Sequence, residues 1–195
     1  YFDADGLTGL AIMTSALRAP GCDAEPYVPS RLDEGHGLSL RAVETAAETG
    51  RRVIVTVDCG PTSGTEIAAA RDRGVDVIVT DHHHVPPELP PAVAVVNAHR
   101  ADSTYPDRRL AGSGIAFKVA QLLLSDLPGG PEAALALADL AAIGAVADVT
   151  PILGENRAIA RLGLERLRSA PRPGLAALLE RAGVAPARVD LETVS

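Results

Sequence analysis

The sequence predicts an α/β fold: a parallel β-sheet flanked by helices, followed by a mainly helical C-terminal third. Three observations lead there. Val53–Val57 and Val75–Thr80 are continuous apolar, β-branched runs that stop abruptly at acids and histidines, the pattern of strands buried on both faces. Segments of helical period lie between such runs over residues 1–99, as βαβ units with right-handed crossovers require. Residues 110–195 are instead rich in Ala and Leu at helical spacing.

Each element has its own justification. Tyr1 to Asp3 reads as the end of a first strand. Leu7, Leu10, Ala11 and Leu17 give helical spacing over Leu7–Arg18, which Pro20-Gly21 terminates. Glu25–Val28 is a short strand candidate, and the polar, Gly-containing stretch Ser30–Leu38 is a surface loop. Ser39 N-caps a helix over Leu40–Thr49 that Gly50 stops. Strand Val53–Val57, helix Thr65–Asp72 closed by Gly74, strand Val75–Thr80, a Pro-rich connection and strand Ala92–Val96 follow. Arg100–Arg109 is a polar loop. Helical patterns then cover Gly114–Leu124, Glu132–Ala147, Asn156–Leu167 and Leu175–Ala182, the last two divided by Pro171 and Pro173.

At 195 residues with 47% hydrophobic and 22% charged content, the chain supports one sizeable core. No apolar run approaches bilayer-spanning length, and no secretory signal is present, so we expect no membrane association. Cys22 and Cys59 build no disulfide framework and read as reduced thiols of a cytoplasmic protein. A net charge of -7 argues against a strongly basic nucleic-acid surface. It does not exclude a nucleic-acid substrate where carboxylates hold divalent cations. The absence of an initiator methionine and the start inside a motif are those of a fragment.

Chemistry concentrates where predicted strands end, which is where open parallel sheets bind ligands. Asp3-Ala-Asp5-Gly6 stands at a strand-to-helix turn, where the plain alternative is an aspartate N-cap. Asp58-Cys59-Gly60 ends a buried strand, with a helix start as its plain reading; Cys59 is a small buried hydrophobe. Asp81-His82-His83-His84 is more specific. Imidazole is a common ligand of divalent metals and carboxylate suits manganese or magnesium, while Asp81 can orient a histidine from behind. Asp148 sits inside the apolar run Ile143–Pro151, where an acid needs a partner. Gly112-Ser113-Gly114 completes no dinucleotide fingerprint, and there is no Gly-Lys-Ser/Thr phosphate loop. Neither Ser113 nor Cys59 stands in a nucleophile-base arrangement. Together the acids and histidines are enough for two metals bridged by one carboxylate, an arrangement suited to phosphoester hydrolysis.

In order, Asp3-Ala-Asp5-Gly6, Thr56-Val-Asp58-Cys-Gly60, Thr80-Asp81-His82-His83 and Val146-Ala-Asp148-Val149 resemble the motifs of the DHH phosphoesterase superfamily. Pro29–Gly37, Ala111–Lys118 and Ala147–Arg157 carry a closer resemblance to its RecJ-type single-stranded-DNA-specific exonucleases. The resemblance implies a DHH-type, Rossmann-like core. It also implies two ions, Mn2+ or Mg2+, and 5′-to-3′ hydrolysis of single-stranded DNA in recombination and repair. Asp3 and Asp58 would hold one ion, and Asp5, Asp58, His82 and Asp148 the other. His83 would contact the scissile phosphate with Asp81 supporting it, and Arg31 would touch DNA phosphate. His84 receives no role. The family pattern places further ligands before Tyr1, and a second domain and an oligonucleotide-binding fold after this core. The rival readings are a phosphodiesterase of the same superfamily acting on short oligonucleotides or cyclic dinucleotides, and a catalytically inactive replication scaffold that keeps the fold.

Overall fold

The structure, a computed structural model, describes residues 2–195. Its sheet has the order β1 (Val53–Val57), β2 (Asp76–Thr80), β3 (Ala94–Val96), and both pairings are parallel. Register runs from Val53 opposite Asp76 to Val57 opposite Thr80, and β3 joins at Ile78 opposite Ala94. The carboxyl ends of β1 and β2 therefore lie side by side, which brings the two acid-bearing turns together.

The helices are α1 (Ala4–Arg18), α2 (Leu40–Glu48), α3 (Gly64–Asp72), α4 (Gly112–Leu124), α5 (Gly130–Leu135), α6 (Ala138–Ala147), α7 (Gly154–Ser169), α8 (Pro173–Arg181) and α9 (Leu191–Val194). Two cores flank the sheet. On one side Val43 of α2 and Ile67 and Ala70 of α3 pack with Val77 and Val79. On the other, Ile12, Met13 and Ala16 of α1 pack with Val57, Phe117 of α4 and Leu140 and Ala141 of α6. Helices α1, α4 and α6 thus meet over the end of β1. Farther along, Asp139, 1% exposed, accepts two hydrogen bonds from Arg172, at 2.7 Å from Nε and 2.6 Å from a terminal guanidinium nitrogen, which tie the start of α8 to α6. Fork-on-fork pairing of this kind compensates a buried carboxylate.

Several expectations need correction. The strand proposed for Glu25–Val28 is not formed. Residues 24–27 and β1 line a common cavity of about 610 Å³, and the chain there joins no ladder. Arg51 instead fastens the nearby chain by ion pairs to Asp23 and, at 2.7 Å, to Glu25. The helix expected over Glu132–Ala147 is two helices, α5 and α6, interrupted at Ala136-Leu137. The run Gly130–Ala147 also does reach the length and apolarity of a membrane span, contrary to the sequence reading. It is 56% buried inside the fold and serves as core. Strand β3 is shorter than Ala92–Val96, and Tyr1, part of the expected first strand, lies outside the described residues. The first helix begins earlier than the apolar spacing indicated. Asp3 is its N-cap, accepting from Gly6 N–H at 2.9 Å.

Candidate metal centre

The ladder continues past the ends of the strands and fixes the turns beyond them. Asp58 N–H donates to the Thr80 carbonyl at 2.9 Å, and Asp81 N–H donates to the Val96 carbonyl at 3.1 Å. The Thr80 hydroxyl donates to the Thr56 carbonyl at 2.6 Å, and the Thr56 hydroxyl to the Cys59 carbonyl at 2.7 Å. Asp58 itself has φ 61°, a left-handed conformation that aspartate tolerates better than most residues. Its side chain is almost fully buried and faces His82.

Asp5 arrives from the first turn of α1. Its two carboxylate oxygens accept from Gly112 N–H at 2.7 Å and Ser113 N–H at 2.9 Å. Those are orphan donors at the N-terminus of α4, where negative charge is favoured. Asp148 is the C-cap of α6. After it, Val149 N–H bonds to the Val146 carbonyl at 3.1 Å and Thr150 N–H to the Ala145 carbonyl at 3.3 Å, a Schellman cap with Val149 at φ 57°. For a β-branched residue that conformation costs about 1–2 kcal/mol.

His82 is the meeting point. Its Nε2 lies 3.2 Å from Asp58 Oδ1, 3.8 Å from Asp148 Oδ2 and 3.9 Å from Asp5 Oδ2. Asp58 Oδ1 and His82 Nε2 are both buried, and neither has a hydrogen-bond partner among the described residues. Buried polar atoms left in this state are costly. Burial pushes the Asp58 carboxyl up to about 6, with Asp5 and Asp3 adding to the rise and His82 opposing it. Burial also raises Asp148, with Asp5 and Asp3 again adding and His82 opposing. Burial lowers His82, but Asp58, Asp5 and Asp148 outweigh that and push it up to about 9. Crowded carboxylates that raise one another and hold a proton on imidazole form a centre short of positive charge. Oxygen donors with one imidazole suit manganese or magnesium, so the residues present fit divalent cations. Two sets of donor atoms lie within reach of one ion each: Asp5, His82 and Asp148, and Asp58, His82 and His83.

His83 is held from behind. Its Nδ1 is 2.9 Å from Asp81 Oδ1, its N–H donates to Asp81 Oδ2 at 3.0 Å, and its carbonyl accepts from Asn97 Nδ2 at 2.9 Å. Asp81 is completely buried, while the His83 side chain is 45% exposed. The remaining expected residues sit farther out. Asp3 is exposed and caps α1, outside both donor sets, though its charge is felt at Asp58 and Asp148. The Arg31 guanidinium lies over the Phe2 ring at 5.0 Å, and Phe2 packs against His36 at 5.0 Å. That tier is next to Asp3 in the chain but contributes no donor to either set. His84 turns away to make an edge contact with His99 at 5.3 Å.

Sequence reasoning missed the supporting groups. The sequence marks Gly112 as part of a Gly-rich helix entry and of the family-like run Ala111–Lys118, but not as a support of the site. A Cβ there would lie 2.7 Å from Asp58 Oδ1, so glycine lets α4 reach the site. Gly144 of α6 received no notice, yet a Cβ on it would lie 2.6 Å from Asp5 Oδ1 and 2.2 Å from Ser113 Oγ. Asn156, fully buried, donates to the Arg109 carbonyl at 2.6 Å, Thr150 Oγ1 at 3.2 Å and the Pro151 carbonyl at 3.2 Å, and so fastens the loop after Asp148. Its place beside Glu155 and Arg157 in a family motif was visible; its function as a strut was not.

Comparison with known proteins identifies the family. Residues 1–145 match the N-terminal domain of the DHH family. The single-stranded-DNA-specific exonuclease RecJ of Bacillus subtilis is 42% identical over 193 residues, covering 99% of this chain and 24% of that protein. A crystal structure of exonuclease RecJ bound to manganese superposes with a TM-score of 0.85 at 38% identity, over 98% of this chain and 48% of the other. RecJ of Thermus thermophilus in complex with Mn2+ gives 0.80 at 36% identity, over 98% of this chain and 27% of the other. The chain thus spans between about a quarter and a half of these relatives. With the parallel sheet, the order of its motifs and the match over residues 1–145, the chain belongs to the DHH family.

Proposed function

We propose that this chain is the catalytic core of a single-stranded-DNA exonuclease that hydrolyses phosphodiester bonds with two divalent ions, manganese or magnesium. The observation that carries the reading is the convergence of Asp5, Asp58 and Asp148 on His82, with Asp58 Oδ1 and His82 Nε2 buried 3.2 Å apart and no further group among the described residues bonded to either. Asp5, Asp58, His82 and Asp148 would hold one ion. Asp58 would be shared with the second, together with Asp3 after a change of rotamer. Two such ions supply a nucleophilic water and neutralise the leaving oxygen of a phosphoester.

The chain's own residues do the positioning. Asp5 is held in place by the N–H groups that open α4, so its ligand geometry does not depend on the ion. Asp81 fixes the plane of the His83 ring, which lets His83 bind the scissile phosphate by a charge-assisted hydrogen bond. Arg31, over Phe2, would bind a neighbouring phosphate. The preference for single strands is supported by the similarity to RecJ, a single-stranded-DNA-specific exonuclease; the polarity from the 5′ end rests on the family resemblance of the sequence motifs. The direct test is to incubate the full-length protein and Mn2+ with 5′-labelled and 3′-labelled single strands and the matching duplex. Release of mononucleotides from the 5′ end of the single strand is expected; preference for duplex or for short dinucleotides would contradict the reading.

The two histidines are expected to separate. His82→Ala should lose metal, because it removes the atom all three carboxylates face. His83→Ala should keep metal affinity nearly intact and lower the catalytic rate, by about ten- to a hundredfold if it acts on the phosphate through Asp81. Calorimetric titration with Mn2+ separates the roles, and equal loss of metal in both variants would show that His83 is a ligand.

A further inference from the structure

Val149 is built into the rim of the site at a position where a valine is out of place. Among the described residues, five helices end in the same cap. In α1, α2, α3 and α8 the left-handed residue is glycine: Gly21 at φ 93°, Gly50 at φ 71°, Gly74 at φ 74° and Gly183 at φ 68°. Each makes the same pair of bonds, for instance Gly183 N–H to the Glu180 carbonyl and Val184 N–H to the Leu179 carbonyl. Only α6, whose C-cap is Asp148, carries a valine there, at φ 57°. Glycine takes up this conformation freely, and a β-branched side chain resists it. Burial does not compensate, because Val149 is 87% exposed. Strain without internal benefit, located beside a site, points to a use outside the folded chain.

We propose that the Val149 side chain is a nucleotide contact, packing against the sugar and base of the nucleotide whose phosphate lies over Asp148 and His82. This rests on the single-stranded-DNA reading above. Several facts favour a nucleotide as its partner. Val149 directly follows Asp148, whose carboxylate is 3.8 Å from His82. The cap leaves the residue 87% exposed at the helix end, one position beyond the Asp148 C-cap. The chain contains no tryptophan and 3% aromatic residues, so the stacking platforms usual for single strands are scarce here, and an aliphatic contact has a base face to cover.

The test uses the full-length protein with Mn2+ and a single-stranded oligonucleotide. Val149→Gly should leave the melting temperature unchanged or raised, since the cap then matches the other four, and should leave Mn2+ affinity unchanged. It should raise KM about fivefold or more, with a smaller change in kcat. Val149→Ile, which keeps the apolar reach, should restore the parent KM. An active parent whose KM is unmoved by Val149→Gly overturns the proposal alone. So does a fall in melting temperature with unchanged KM, which would assign the side chain to a contact with another part of the protein. A parent that does not degrade single strands overturns the substrate reading and this proposal together.

Discussion

Asp58→Ala in the full-length protein is expected to abolish nuclease activity, a loss of at least about a thousandfold in kcat. The size follows from the stabilisation at stake. Metal ions supply several kcal/mol to the transition state of phosphoryl hydrolysis, and each 1.36 kcal/mol is a factor of ten in rate. Asp58 is the carboxylate the proposal shares between both ions, and its Oδ1 lies 3.2 Å from His82 Nε2, a donor to the first, so its removal affects both ions at once. Asp148→Ala removes a partly exposed donor at one end and should cost less. Unfolding is not expected to explain the loss at Asp58. Burial pushes that carboxyl up to about 6, so without metal the fold holds the charge against a desolvation penalty. Turnover within tenfold of the parent at saturating Mn2+ would show that the carboxylate is not shared.

The second large effect is expected from adding single methyl groups. Gly144 lies within α6, where alanine is normally better than glycine by about 1 kcal/mol. Helix propensity alone therefore predicts that Gly144→Ala stabilises. Packing predicts the opposite. The new Cβ would lie 2.2 Å from Ser113 Oγ, 2.5 Å from Thr8 Oγ1 and 2.6 Å from Asp5 Oδ1. Overpacking of this kind costs about 1–3 kcal/mol, enough to reverse the sign, and it displaces Asp5 from the start of α4. Gly112→Ala acts on the other side, with its Cβ 2.7 Å from both Cβ and Oδ1 of Asp58. Both variants should lower Mn2+ affinity and turnover by about ten- to a hundredfold, the usual cost of disturbing groups that hold metal ligands. Gly174→Ala, which meets nothing within 4 Å, is the control. Thermal unfolding, metal titration and turnover on the three variants settle it. If Gly112→Ala and Gly144→Ala behave like Gly174→Ala, the close approach of the helices to Asp5 and Asp58 is not needed.

What could be read from the sequence follows from the range of the interactions. Strands β1 and β2 were legible because a continuous β-branched run has one plausible fate, and the acids at their ends marked the functional edge. Glu25–Val28 offers only Tyr27 and Val28 as strand formers, with Pro26 between them and Glu25, and has no ladder to join; nothing in four residues reveals a missing neighbour. The break between α5 and α6 falls in an Ala- and Leu-rich stretch with no Gly or Pro to announce it. Asp3 was open to two readings, and its carboxylate makes the N-cap. The supports of the site were hidden by distance along the chain. The bonds from Gly112 and Ser113 to Asp5 span more than a hundred residues, and that from Asn156 to the Arg109 carbonyl spans 47. The strain at Val149 is a backbone property that residue type alone does not disclose.

The most direct test of the shared two-ion centre is an anomalous difference map from crystals of the full-length protein soaked in Mn2+. The account predicts two peaks about 3.5–4 Å apart. One should be bound by Asp5, His82 and Asp148 and both should touch Asp58, with His83 still paired to Asp81. A single peak, or two peaks that leave Asp58 uncoordinated, would contradict it.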